Sequence, residues 1–314
     1  MDKKIMSVIL MAFCLIWLGW GIVWSGQNGQ IPAQNINGWE NNRLIAHALG
    51  GIQGSSYTNS YDAFITNYNK GYRLFETDLL LTTDGELAAR HDWSKRLQPD
   101  LSGQTGHSLT SSQFESSLID GKFQPLLFKD ILHLMEKYPD FYLVTDTKEM
   151  NKQKIQQQFS TLVEQARKVD VSLLNRIIPE IYSPEMYDTV MNIYPFPNKM
   201  YSLYQSGASA ASIVDFVKKK QISVVAMPTY RVLINPNLIY ALNQLNVQSY
   251  VHTVNNPGAM KLMSRLGVHG YYTDLETPPN MLEDTFPKPT KLVFGKYIQE
   301  VLGTISSIIM KVAT

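Results

Sequence analysis

The chain has 314 residues, enough for one large domain or two small ones, and 44% of them are hydrophobic, so a sizeable core can form. A formal net charge of +1 leaves no electrostatic footprint for nucleic acid. The single cysteine, Cys14, excludes an intrachain disulfide, and without a Cys/His cluster any metal must be held by oxygen with imidazole as a further option.

Lys3 and Lys4 precede residues 5–24, a run of twenty without a charge. As a helix this run is about 30 Å long, which spans a bilayer core. Trp17, Trp20 and Trp24 gather toward its end as interfacial anchors do. The basic start favours a cytoplasmic amino terminus and an exported body. A cleaved signal peptide is the rival, but the run is long for one and Ser25-Gly26-Gln27-Asn28 is a poor small-residue cleavage site. Residues 1–25 therefore read as a single transmembrane helix. Residues 26–42, rich in Gly, Asn and Gln, read as a flexible linker.

The body begins with residues 43–48, a short apolar strand ending in His47 before Gly50-Gly51. Thr58, Asn59 or Ser60 then caps a helix over residues 61–69. The run 72–93 follows. Glu76 and Asp78 stand two apart in a Leu- and Thr-rich strand, so both carboxylates leave one face. Asp84-Gly85 signals a two-residue hairpin, which sets Leu81 opposite Ala88 and Asp78 opposite His91. An imidazole across from a carboxylate pair suits a divalent cation with an acid/base group beside it. A solvated surface hairpin is the competing reading.

Residues 97–123 are polar with scattered Gly and Ser and read as an excursion outside the core. A helix enters near Pro125. Residues 141–145 form the next strand, with Asp146 and Lys148 just beyond it, and residues 152–169 an amphipathic helix. Strand and helix then alternate to a last strand at residues 270–273, ending in Asp274. Eight strands, at His47, Glu76, Val144, Ile181, Leu203, Val225, Val251 and Tyr272, predict an α/β fold, a closed (β/α)8 TIM barrel over residues 43–290. The arm carrying His91 is an extra strand. A doubly wound open sheet is the alternative, but no glycine-rich dinucleotide fingerprint follows the first strand. Residues 291–314 read as an amphipathic helix that packs on the barrel or docks on a membrane. In a barrel, polar residues at strand ends converge on one mouth, which gathers His47, Glu76, Asp78, His91, Asp146 and Lys148.

At these residues the chain resembles the glycerophosphodiester phosphodiesterase family, within the phospholipase C-like phosphodiesterase barrels. The matching pieces are His47-Ala48, Asn59-Ser60, Glu76-Thr77-Asp78, the Thr82–Gly85 turn, His91-Asp92, Pro125-Leu126-Leu127 and Asp146-Thr147-Lys148, then late in the chain VHTVN (251–255) and GVHGYYTD (267–274). The resemblance implies hydrolysis of a phosphodiester with one divalent cation, Ca2+ or Mg2+, held by Glu76, Asp78 and Asp146. His47 and His91 would divide the acid and base roles, and Lys148 would add a charge to the phosphate. Asn59 would contact metal or phosphate, with helix capping as its other role. His252, standing where the family has tryptophan, and Asn255 and Glu180, at strand ends, would line the mouth. Asp92 would orient His91 or cap, rather than bind metal. His107 reads as a solvated loop residue, His133 as a packing or surface residue, and His269 as exposed.

Two departures stand out. The family's arginine after the first histidine is Ala48 here, and the third acid is Asp146, one methylene short of the usual glutamate. The expected protein is a single-pass membrane phosphodiesterase with its barrel on the extracytoplasmic side, acting on a small-molecule or lipid-derived phosphodiester. A non-catalytic barrel that keeps phosphate-ligand recognition is the alternative that Ala48 supports. A barrel glycosidase using Glu76 or Asp146 leaves both histidines and the lysine without roles.

Overall fold

The protein is seen in a computed structural model that describes residues 38–94, 96, 98 and 107–279. The expected membrane span and the helix over residues 291–314 lie outside the described residues. Among the described residues, no helix is long and apolar enough to cross a membrane.

Nine strands form one sheet. They are β1 (Leu44–Ala46), β2 (Leu74–Leu81), β3 (Leu87–Ala89), β4 (Tyr142–Asp146), β5 (Ile177–Ile181), β6 (Met200–Ser202), β7 (Val224–Pro228), β8 (Gln248–His252) and β9 (Gly270–Thr273). The order β1-β9-β8-β7-β6-β5-β4-β2 is parallel throughout, and β1 also pairs with β2, so eight strands close into a barrel. The ninth, β3, returns antiparallel along β2. The helices on the outside begin with α1 (Tyr61–Asn69), α2 (Ser111–Glu115), α3 (Phe128–Lys137), α4 (Lys152–Val169) and α5 (Pro184–Ile193). They continue with α6 (Ala210–Lys220), α7 (Thr229–Ile234), α8 (Pro236–Gln244) and α9 (Pro257–Arg265). Local sequence explains their starts. The side chains of Ser60, Asn151, Ser183, Ser209 and Asn256 each accept a backbone N–H in the first turn of the helix that follows.

Strand alternation gives the barrel its polarity. In β2, Phe75 packs outward on α1 and α3, while Leu74, Glu76 and Asp78 share the inward face. Along each inward column the residue type changes from apolar to polar toward the carboxyl end: Leu74 then Glu76 and Asp78, Val144 then Asp146, Ile178 then Glu180. Trp39 closes the opposite end against Leu74, Val144, Ile178, Met200 and Val224, with its indole N–H on Asn198. That tryptophan, which the sequence placed in the linker, belongs to the barrel core.

Three expectations need correction. The hairpin register is one residue off, because Leu81 faces Leu87 and Leu79 faces Ala89. Thr82 N–H donates to the Glu86 carbonyl at 2.9 Å, its hydroxyl accepts the Glu86 N–H, and Gly85 sits at φ +85°. These bonds close a three-residue loop rather than a two-residue one. Asp78 is therefore opposite Arg90, whose N–H donates to the Asp78 carbonyl, and His91 lies past the strand end. Second, the polar excursion is not wholly outside the core. Phe114, Ile119 and Phe123 are buried beside β3, and buried Gln98 donates to the carbonyls of Phe114 and Ser117. Third, His269 is largely buried, with its Nε2 on the Glu40 carbonyl at 2.8 Å.

Candidate active site

The inward polar residues meet at the carboxyl-terminal mouth. Glu76, Asp78 and Asp146 each bring one carboxylate oxygen within 4.8 Å of the others, the one group among the described residues with metal-ligand character. The parallel register that sets Glu76 beside Val144 and Asp78 beside Asp146 creates this cluster. Glu76 Oε2 accepts the Ala48 N–H at 2.7 Å, while its Oε1 is buried with no partner. Asn59 is fully buried. Its amide donates to Asp78 Oδ2 at 2.8 Å, and its carbonyl oxygen accepts from the Asp78 N–H and the Thr77 hydroxyl. Asn59 thus orients a carboxylate, and Ser60 makes the helix cap.

Charge crowding governs this cluster. Burial, followed by the Asp78 and Asp146 charges, pushes Glu76 well above the usual carboxylate range. Burial alone would raise Asp78 too, but the Lys148 ammonium and then His91 overcome it and hold Asp78 low. Lys148 donates to Asp78 and lies 3.7 Å from Asp146. Asp146 is raised, chiefly by burial, despite Lys148. The Tyr182 hydroxyl and the Lys148 N–H both donate to it.

Two imidazoles flank the acids, and each is held by an aspartate. His47 Nδ1 is 2.8 Å from Asp274 Oδ1, and His91 Nδ1 is 2.9 Å from Asp92 Oδ2. Asp274 is fixed in turn by Asn255, whose amide donates to Oδ2 at 2.7 Å and whose carbonyl oxygen takes the Asp274 N–H. Gly51 lets the loop after His47 approach, since a Cβ there would lie 2.1 Å from the Asp274 carbonyl oxygen. His91 is pinned through Arg90, a buried guanidinium that donates to the carbonyls of Asp92 and Ser94 and to Gln98. Between the imidazoles stands Tyr57, edge-on to His47 at 4.7 Å and to His91 at 4.9 Å. The Arg96 guanidinium lies over the Tyr57 ring.

His252 completes one wall. Its Nε2 is buried without a partner, and its ring meets Tyr204 and Tyr272, each at 5.8 Å. Burial, then the neighbouring His47, lowers it to about 4, so it is a neutral imidazole. Glu180 is buried deeper in the barrel and accepts the Tyr272 hydroxyl. Burial and then Asp146 raise it to about 8.

The structure thus gathers His47, His91, Glu76, Asp78, Asp146 and Lys148 at one mouth, with Asn59 and Asn255 acting on carboxylates from behind. Sequence reasoning gave no role to Asp274, Tyr57 or Tyr182. Asp274 could have been found at the end of the last strand, a position that faces the mouth. Nothing local marks Tyr57 or Tyr182. Chemically, the site offers two proton-transfer groups around an all-oxygen donor set. Crowded carboxylates and an orphaned buried oxygen fit a hard divalent cation.

The sequence model of the glycerophosphoryl diester phosphodiesterase family matches residues 51–275. No curated protein matches the chain. Among solved structures, a glycerophosphodiester phosphodiesterase from Parabacteroides distasonis superposes with a TM-score of 0.63 at 18% identity, over 82% of this chain and 99% of that one. One from Thermotoga maritima gives 0.55 at 18% identity, over 74% and 94%. A phosphodiesterase from Oleispira antarctica, in complex with the product sn-glycerol-3-phosphate, gives 0.60 at 11% identity, over 77% and 95%.

Proposed function

Because the chain belongs to the glycerophosphoryl diester phosphodiesterase family, we propose that this phosphodiesterase hydrolyses a glycerophosphodiester or a lipid-derived phosphodiester in a metal-dependent reaction. The observation that carries the reading is the pair of aspartate-held imidazoles set around three carboxylates. Glu76, Asp78 and Asp146 would hold one divalent cation, Ca2+ or Mg2+, which when bound supplies positive charge to the non-bridging phosphoryl oxygens.

With Nδ1 of each histidine engaged by its aspartate, Nε2 is the atom left for substrate. One Nε2 takes the proton of the attacking hydroxyl, and the other returns a proton to the leaving alkoxide. Asp274 and Asp92 stabilise the protonated rings and hold their orientation. The nucleophile is water, or a neighbouring hydroxyl of the substrate that closes a cyclic phosphate. Lys148 adds a point charge toward the phosphate. The neutral His252, whose Nε2 has no partner in the protein, would hydrogen-bond the alcohol part of the substrate. The intact histidine pair favours turnover over the ligand-binding alternative.

The uncharged run at residues 5–24 behind two lysines supports a membrane tether with the barrel on the extracytoplasmic side. Hydrolysis of glycerophosphocholine or bis-p-nitrophenyl phosphate by the full chain with added Ca2+ or Mg2+ tests the assignment. His47→Ala and Glu76→Ala are expected to reduce turnover to background with the circular dichroism spectrum unchanged. Wild-type rates in both variants would overturn it.

A further inference from the structure

The mouth of this barrel is polar inside and apolar at part of its edge. Five of the eight exposed large apolar residues of the described chain, Met150, Tyr204, Tyr230, Leu233 and Ile234, lie in the loops or the short helix that follow barrel strands. Tyr204 follows β6 and is 57% exposed, Tyr230 and Ile234 on α7 follow β7 at 53% and 63%, and Met150 follows β4 at 46%. Tyr230 and Ile234 are four apart, so they share one face of α7, while Val232 is buried on the other. Hydrogen bonds bind the three loops together. The Arg231 guanidinium donates to the Ser206 carbonyl, and the Gln205 amide donates to the Lys148 carbonyl at 3.1 Å. The rim also touches the site, because the Tyr204 ring meets His252.

A small glycerophosphodiester is polar throughout and gains nothing from such a rim. A surface that presents phosphodiesters beside an apolar layer does, and a phospholipid bilayer is that surface. We propose that the rim formed by Met150, Tyr204, Tyr230 and Ile234 docks on a phospholipid membrane and that the site takes phosphodiesters from it. The uncharged run at residues 5–24 of the same chain points to the same partner. The choice of a bilayer and of its phosphodiesters rests on the phosphodiesterase reading, whereas the exposed rim and the uncharged run stand apart from it.

Two measurements test this on the full chain. In the first, Ile234→Cys on a Cys14→Ser background carries an environment-sensitive fluorophore, with Lys219→Cys, exposed near the far end of α6, as the control. Phosphatidylcholine–phosphatidylglycerol vesicles with brominated acyl chains are expected to quench the label at 234 and spare the one at 219. Absence of that difference overturns the docking, and a concentration-dependent dimer lost in Ile234→Asp would assign the rim to a second copy instead. In the second, Tyr230→Asp/Ile234→Asp is expected to slow hydrolysis of lysophosphatidylcholine embedded in vesicles by about tenfold or more, with glycerophosphocholine turnover within about twofold of wild type. Equal loss on both substrates, or loss on neither, overturns it. A wild-type chain inactive on both substrates would sink the phosphodiesterase reading, and the quenching result would still decide the docking.

Discussion

Replacing Glu180 by glutamine is expected to remove a pH dependence from the stability of the metal-free protein. Glu180 is buried inside the barrel, where burial and then the Asp146 charge raise its carboxyl from 4.5 to about 8. A carboxyl whose pKa is raised on folding binds its proton more tightly in the native state. Its contribution is therefore whole below pH 4.5, is lost as pH rises toward 8, and does not change further above that. Between those two values, stability falls by about 1.4 kcal/mol for every pH unit, so the loss amounts to roughly 3 kcal/mol at pH 7 and 4–5 kcal/mol above pH 8. Glutamine keeps an oxygen for the Tyr272 hydroxyl and carries no charge at any pH. Urea midpoints in chelator from pH 5 to 9 should show wild type weakening relative to Glu180→Gln as pH rises, with the two curves meeting near pH 5. Saturating Ca2+ should shrink the gap, since a cation among the acids opposes the Asp146 charge. Parallel curves across the whole range would refute the argument that Glu180 is protonated at neutral pH.

Asp274→Asn removes the charge behind His47 with little change of shape. It should lower kcat on the order of 10²-fold while KM and the melting temperature hold, as steady-state kinetics and calorimetry would show. Lys148→Met frees Asp78 and Asp146 from the ammonium that now occupies them. It is expected to tighten Ca2+ binding by about tenfold, close to 1.4 kcal/mol, and to reduce turnover. Isothermal titration calorimetry giving weaker binding would show that the lysine does not compete with the cation.

How far the molecule is legible in its sequence depends on whether a feature is periodic or relational. The eight barrel strands are periodic. Each is a short apolar run, and the structure has eight parallel strands at or within one residue of the expected positions. Glu76 and Asp78 were readable because the strand period puts both on one face. The register of the hairpin after them was not, since it turns on a single left-handed glycine and a threonine side chain that together add one residue to the loop. Phe114, Ile119 and Phe123 are too thinly spaced among polar residues to signal a buried segment. They become core only because Gln98 and Arg90 fold the excursion back onto β3. Tyr57 and Tyr182 carry no local mark, because their importance lies in rings and carboxylates supplied by distant parts of the chain.

The two departures from the family pattern are relational in the same sense. Ala48 lacks a guanidinium, yet its backbone still serves the site. It sits fully buried at φ +49°, and its N–H is the donor that holds Glu76 Oε2. A long side chain at this buried position would have to push into packed neighbours, at a cost of about 1–3 kcal/mol. Asp146 is short by one methylene, but Tyr182 reaches it from the end of β5, so an oxygen is fixed even though the carboxylate is set further back. Neither departure dismantles the donor set. Both replace a long flexible side chain with a fixed one, and the three acids stay within 4.8 Å of one another. Positive charge at the mouth then comes from Lys148 and, over the Tyr57 ring that separates the histidines, from Arg96. These two cations are the side-chain positive charge that the described mouth carries without an arginine at position 48.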